Sequence, residues 1–292
     1  MKKTLTLLML SAILSFGYSQ NTNENSASSS FESKVMNTDR GSYTRSASNI
    51  AKGLQVELGL GYDWVNSNND TYKNDIFSPF KGKLRLGLSS KVEIDFAINN
   101  NQMVVRRWDG SSTDKYNYWS PLEIGIRTQL MNSKKKSATK AALYLGLGVN
   151  TTQRSAFEDD GTARPWVLVD RPSYVTPEFA LFVGHKIGSR FDLAYNFGLK
   201  WTGIVLDDAV SAKNPDIFYT IRATVHAAKC LDLYLEHFNF MRKVYYSNLG
   251  LNLGARYAIN KKFAVDINAG LGLNSASSDG FAGLGLSYKL GK

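Results

Sequence analysis

Residues 249–273 read LGLNLGARYAINKKFAVDINAGLGL. Leu249, Leu251, Leu253 and Tyr257 alternate with Gly250, Asn252, Gly254 and Arg256, and beyond Asn260-Lys261 the alternation resumes in Phe263, Val265, Ile267, Leu271 and Leu273. Successive side chains of a strand point to opposite faces, so two such runs around a two-residue break describe an antiparallel hairpin. One of its faces is rich in leucine. The other carries Gly250, Gly254, Gly270, Gly272 and the opposite charges Arg256 and Asp266.

The same period of two recurs along the chain and predicts twelve strands, at 54–65, 80–89, 91–99, 121–131, 139–149, 174–186, 190–201, 216–226, 230–238, 247–259, 262–273 and 280–290. Short connections (Ser90, Asn132–Ala138, Ile187–Ser189, Ala227–Lys229, Asn260–Lys261) alternate with mostly longer ones, the largest being Asn100–Ser120 and Asn150–Ser173. An even strand count, strands of about ten residues and a short rim opposite a long one are the layout of a transmembrane antiparallel up-and-down β-barrel. A soluble sandwich or lipocalin-like barrel would alternate in the same way with its apolar face inward. Glycines on the polar face (Gly59, Gly61, Gly146, Gly148) and aromatics near strand ends (Tyr62, Trp64, Phe80, Trp119, Trp201, Tyr245, Tyr246, Phe263) favour the membrane version.

The composition agrees. The chain has 292 residues, 43% hydrophobic and 21% charged, with one cysteine, Cys230, which excludes a disulfide framework and a multi-cysteine metal site. Outside the N-terminus the longest apolar run, Ala141–Val149 with its glycines, falls short of the about 20 residues of a spanning helix. Met1-Lys2-Lys3, the apolar Leu5–Phe16 and Gly17-Tyr18-Ser19 form a cleavable export signal over residues 1–19. No cysteine stands at the cleavage point to carry a lipid anchor. Cleavage removes Lys2 and Lys3 and no acid, so the formal charge falls from +10 to +8. An exported chain whose lysines are not interleaved with aromatics does not read as a nucleic-acid binder. Residues 20–50, rich in Asn, Ser and Thr, read as a flexible N-terminal arm or lumen plug, and 51–292 as the barrel.

Aligning the hairpins places Arg85 opposite Asp95, Arg222 opposite Asp232 and Arg256 opposite Asp266, all on the face without leucines. Parity adds Glu57, Lys83, Glu93, Glu123, Arg127, Glu178, Asp192, Lys200, His226 and Glu236 to that lumen face. Such pairs zip hairpins together and also line a conduit, where charge sets selectivity. The mixture of signs does not describe a strongly anion- or cation-selective pore.

Catalytic chemistry has little to stand on. Of His185, His226 and His237, only His237 lies on the outer face near the long-loop rim, where Ser247 is its one candidate partner for lipid hydrolysis. No nucleophile elbow, zinc-protease motif or cofactor-binding pattern occurs. Glu158-Asp159-Asp160 reads as a solvated loop. The loop 150–173, with Arg164, Trp166 and Arg171, suits either a contact surface for a partner, as in an adhesive barrel, or an inward constriction.

The two ends carry a resemblance. Thr38-Asp39-Arg40, Ser46 and Lys52-Gly53-Leu54-Gln55-Val56-Glu57-Leu58-Gly59 resemble the opening of the outer-membrane transporters named for the MetA pathway of phenol degradation, which begin Thr-Asp-Arg-Pro-Asp before a Gly-x-x-Gln-x-Glu strand. Asp266-Ile267-Asn268-Ala269-Gly270, Leu273-Asn274 and Asp279-Gly280-Phe281-Ala282-Gly283-Leu284-Gly285 resemble its closing hairpin. This chain has Gly41-Ser42 in place of Pro-Asp and ends Leu290-Gly291-Lys292 without a terminal aromatic, Tyr288 being the nearest. The resemblance implies a channel in the lipid bilayer of the bacterial outer membrane that passes a small-molecule solute, aromatic or hydrophobic, without catalysis. Asp39, Arg40 and Arg45, the charges just ahead of the first strand, are then expected to fold into the lumen and narrow it.

Overall fold

The computed structural model describes residues 35–36, 38–50, 52–66, 72–107, 113–132, 139–149, 174–201, 204–205, 215–241, 247–274 and 277–290. The export signal, the acidic cluster, Tyr245, Tyr246 and the loop 150–173 lie outside the described residues. Fourteen strands follow in chain order: β1 Gly53–Asn66, β2 Tyr72–Gly87, β3 Val92–Arg107, β4 Thr113–Trp119, β5 Leu122–Asn132, β6 Thr139–Val149 and β7 Tyr174–Ile187; then β8 Phe191–Lys200, β9 Ile204–Val205, β10 Asp216–Ala228, β11 Leu231–Met241, β12 Ser247–Ala258, β13 Phe263–Gly272 and β14 Gly280–Leu290. Neighbours pair antiparallel, and β1 joins β14 from Leu54↔Leu290 to Trp64↔Gly280, which closes the sheet. The result is a twelve-stranded barrel, because β4 continues the ladder position of β5 along β3, and β9 continues that of β8 along β7. Closure leaves no open edge.

The break between β4 and β5 and a bulge in β2 have local causes. Between β4 and β5 stand Ser120-Pro121; proline has no N–H to donate, and Ser120 bridges the gap by accepting from the Asn99 amide through Oγ at 2.8 Å and donating to the Asn99 carbonyl at 2.7 Å. A bulge between Phe77 and Phe80 in β2 falls at Pro79 for the same reason.

The face assignment follows from burial. Leu145, Phe197, Leu253 and Ile267 are 53–57% exposed, whereas Glu57, Arg85, Glu93, Arg127 and Glu236 are fully buried. A soluble sandwich would reverse this, so the barrel is apolar outside and charged inside, as outer-membrane barrels are.

The structure corrects two expectations about length. Strand β2 starts at Tyr72, not near residue 80, and β3 runs to Arg107. Much of the segment expected as the loop Asn100–Ser120 is therefore sheet, with Asn100↔Trp119 to Arg106↔Thr113 in register. The short turns, including the tight Gly188 turn (φ +68°), and the barrel's first and last strand ends share one rim.

Candidate functional site

The inner wall is organised around residues 38–50, which lie within the barrel and bond to strands around its whole circumference. On one side, Asp39 accepts from Arg127 Nη2 at 2.7 Å and from Lys83 Nζ at 2.9 Å. Lys83 also faces Asp95 at 3.3 Å, and Arg127 faces Asp95 and Glu93 at 3.6 Å each. Arg85 forks onto Glu93 at 2.7 and 3.0 Å and reaches Glu57 at 3.4 Å. Burial opposes the charge on Asp39, yet the cations Arg127, Lys83 and Arg85 outweigh it and hold the carboxyl well below its ordinary 3.8. Each ion here but the partly exposed Lys83 is buried, so removing one partner strands the other.

On the opposite wall most contacts are to the segment's backbone. The carbonyl of Gly41 accepts from Asn252 Nδ2 at 2.8 Å and from the Tyr234 hydroxyl. Arg256 donates to the Arg40 carbonyl at 2.7 Å, and the Arg40 guanidinium donates to the Leu284 carbonyl at 2.9 Å. Glu236 accepts from Ser42 Oγ at 2.8 Å, from the Tyr43 amide at 3.0 Å, from the Thr44 amide and from Asn252 at 2.8 Å. Arg222 donates to Ser42 Oγ and the Thr44 carbonyl at 2.9 Å each. Glycine is required at Gly41: its φ of +67° is closed to proline. The departure from the Thr-Asp-Arg-Pro-Asp pattern thus has a backbone reason.

Further along, Arg45 meets Glu178 at 3.1 Å and lies 4.5 Å over the Tyr144 ring. Burial works against its charge, but Glu178 raises its pKa further above the ordinary value. Lys200 bridges Glu123 and Glu178 at 2.8 and 3.7 Å. The wall here, formed by Glu123, Tyr144, Gly146, Leu147, Gly148, Thr176, Glu178 and Lys200, leaves only a crevice too tight for a water molecule. The segment leaves the lumen with Ala47 against Phe182 and Tyr144 and the Ile50 amide donating to Glu93 at 2.7 Å.

Rings fill part of the lumen. Tyr43 lies 4.2 Å from Phe238 and 5.7 Å from Phe240 and Phe281, and Phe218 stacks on Phe240 at 5.7 Å. Inward glycines make the room: a Cβ on Gly250, Gly270 or Gly198 would run into the ring of Phe238, Phe281 or Phe218, and one on Gly59 into the Arg40 guanidinium.

Of the expected hairpin pairs, Arg85↔Asp95 and Arg256↔Asp266 are in register. Arg222 is not opposite Asp232. Its partner is Glu236, and Asp232 faces His226, because the turn is the two residues Lys229-Cys230 and not Ala227–Lys229. The expected pair Arg222–Asp232 centres on residue 227 and the observed Arg222↔Glu236 on residue 229, and a centre moved by two residues moves every partner by four. His226 is held between Asp232 at 2.6 Å and Asp192 at 3.1 Å near the short-turn rim. The His237–Ser247 pair is not formed: His237 is in register with Leu251, Ser247 with Met241, and the His237 ring is 3.3 Å from the Tyr219 hydroxyl. The sequence reading missed Ser42, Tyr43, Thr44, Gln55, Tyr144, Tyr234 and Asn252. Only strand parity could have signalled the last four, and nothing marks the first three.

Among solved structures, an outer-membrane channel from Pseudomonas putida F1 superposes with a TM-score of 0.58 at 11% identity, over 84% of this chain and 98% of that one. The transport unit of the autotransporter AIDA-I from Escherichia coli does so with a TM-score of 0.52 at 11% identity, over 81% and 90%. At that identity the likeness is one of fold. No curated protein matches by sequence. The family described as "Putative MetA-pathway of phenol degradation" matches residues 171–290. The resemblance to that family is borne out over residues 171–290, which include the closing hairpin; the opening residues 38–59 lie outside the match.

Proposed function

We propose that this chain is an outer-membrane channel for small molecules, with residues 38–50 narrowing its lumen. The observation that carries the reading is the charged inner face of a closed barrel, satisfied strand by strand by one docked segment. A barrel serving only as a scaffold gains little from burying so many ions, since apolar residues of equal volume stabilise as well or better. A hydrated path can keep such residues, and a segment bonded to them regulates its width.

The match to the phenol-degradation family supports small aromatic or hydrophobic solutes as cargo. So does the cluster of Tyr43, Phe238, Phe240 and Phe281, where Tyr43 is 40% exposed and offers a ring face beside the charged wall. Enzymatic activity is no part of the proposal.

The test is single-channel recording in planar bilayers of the mature chain and of a chain lacking residues 21–48. The deletion is expected to raise conductance severalfold, and phenol is expected to reduce the current through the intact chain. Equal conductance of the two proteins would refute a narrowing role for the segment, and a silent, fully inserted deletion variant would refute the channel itself.

A further inference from the structure

Cations are segregated by rim. At the short-turn rim, Lys52, Lys91, Arg190, Lys229, Lys261 and Lys262 are all exposed. Among the described residues, none of these connections contains Asp or Glu. The acids nearest this rim point inward: Glu93 and Asp232 are buried in the lumen, and Asp192 is bonded to His226. The opposite connections are mixed, with Glu158-Asp159-Asp160, Asp207-Asp208 and Asp279 alongside Arg154, Arg164 and Arg171. A barrel whose processed chain has formal charge +8 thus concentrates its excess at one end.

A second observation fixes what that end faces. Three of the four described short turns begin where the outward apolar belt ends. Leu88, Ile187 and Ile259 are 47–53% exposed, and each is followed within three residues by a cation, Lys91, Arg190 or Lys261. A lysine or arginine so placed can lay its stem along hydrocarbon and lift its charge to the headgroup level. The arrangement recurs around the ring. A folded partner would cover only an arc of it, whereas lipid contacts the whole circumference.

We propose that the short-turn rim is a docking surface for the phosphate headgroups of anionic phospholipids in the leaflet it faces. The inference rests on the membrane-spanning reading above. Ammonium and guanidinium groups at the apolar boundary attract anionic lipid, and the attraction is screened by salt.

The experiment reconstitutes the processed full chain in phosphatidylcholine and measures its selectivity for spin-labelled phosphatidylglycerol over spin-labelled phosphatidylcholine. The expected result is a preference of about threefold or more that decays at high salt. The combined substitution K91Q, R190Q, K229Q, K261Q and K262Q should abolish it, while Arg106→Gln at the far rim should not. Absence of preference in the wild type, or its survival in the five-fold variant, overturns the proposal. Displacement of the labelled lipid by millimolar inorganic phosphate would mean a free-anion site and also overturns it. So would sedimentation with peptidoglycan in the absence of lipid selectivity. Insertion into pure phosphatidylcholine, read by heat-modifiable migration, tests the membrane-spanning reading separately. Salt dependence in the wild type stands as evidence should the variant not fold.

Discussion

Glu236 shows how much of the site rests on single side chains. It accepts from two backbone amides and a hydroxyl of the docked segment while fully buried. In Glu236→Ala those donors lose their acceptor, at about 1–3 kcal/mol for each one left unsatisfied. The segment is expected to become cleavable by trypsin at Arg40 and Arg45 at least tenfold faster than in the wild type, as followed by mass spectrometry. Asp39 makes a different prediction. Its carboxyl is depressed in the folded state, so its contribution is complete above the ordinary value of 3.8 and is lost only as pH falls through the lower folded value. Conductance at pH 5 and pH 7 should therefore be the same, and release of the segment by Asp39 protonation should begin only in stronger acid. Asp39, Arg40 and Arg45 were visible beforehand as isolated charges ahead of a strand. Ser42 and Thr44 were not, because they act through backbone amides and short hydroxyls that leave no pattern in sequence.

At the level of strands, alternation was readable wherever lipid faces one side. The pairs Leu249/Leu251/Leu253 and Leu143/Leu145/Leu147 need nothing but the period of two. Residues 72–79 and 100–119 escaped notice for a physical reason. Where a hairpin extends beyond the apolar belt, water lies against its outer face, and Asn99-Asn100-Asn101 costs nothing there. The register of β10 and β11 failed because composition does not reveal a turn's centre, and Ala227-Ala228-Lys229-Cys230 offers neither glycine nor proline to mark it. The glycines were noticed for their face but not for their purpose. A Cβ on Gly254 would overlap the Tyr234 ring, whose hydroxyl holds the Gly41 carbonyl. Gly254→Val is expected to lower the melting temperature by several degrees by displacing that ring, as measured by the loss of heat-modifiable migration. Unchanged migration would mean that the ring has another place to go.

The whole molecule couples a chain terminus to every part of a closed wall. Thr38 bonds Ser287 at 3.0 Å across 249 residues of sequence, and the next dozen residues touch β1 to β3, β5 to β8 and β10 to β14. No partial sheet can offer that set of partners. A ring with one hairpin too few or too many would place Arg222, Arg256 and Glu236 at the wrong separation from Lys83 and Arg127, leaving bare ions on both sides. The segment ahead of the first strand is therefore expected to act as a gauge of circumference, docking fully only when the twelfth strand meets the first. A chain without residues 21–48 should refold into vesicles with a lower yield of the compact, heat-modifiable species and with more misclosed product on the gel. In that sense the stretch proposed to narrow the finished conduit would also count the staves as the cask is assembled.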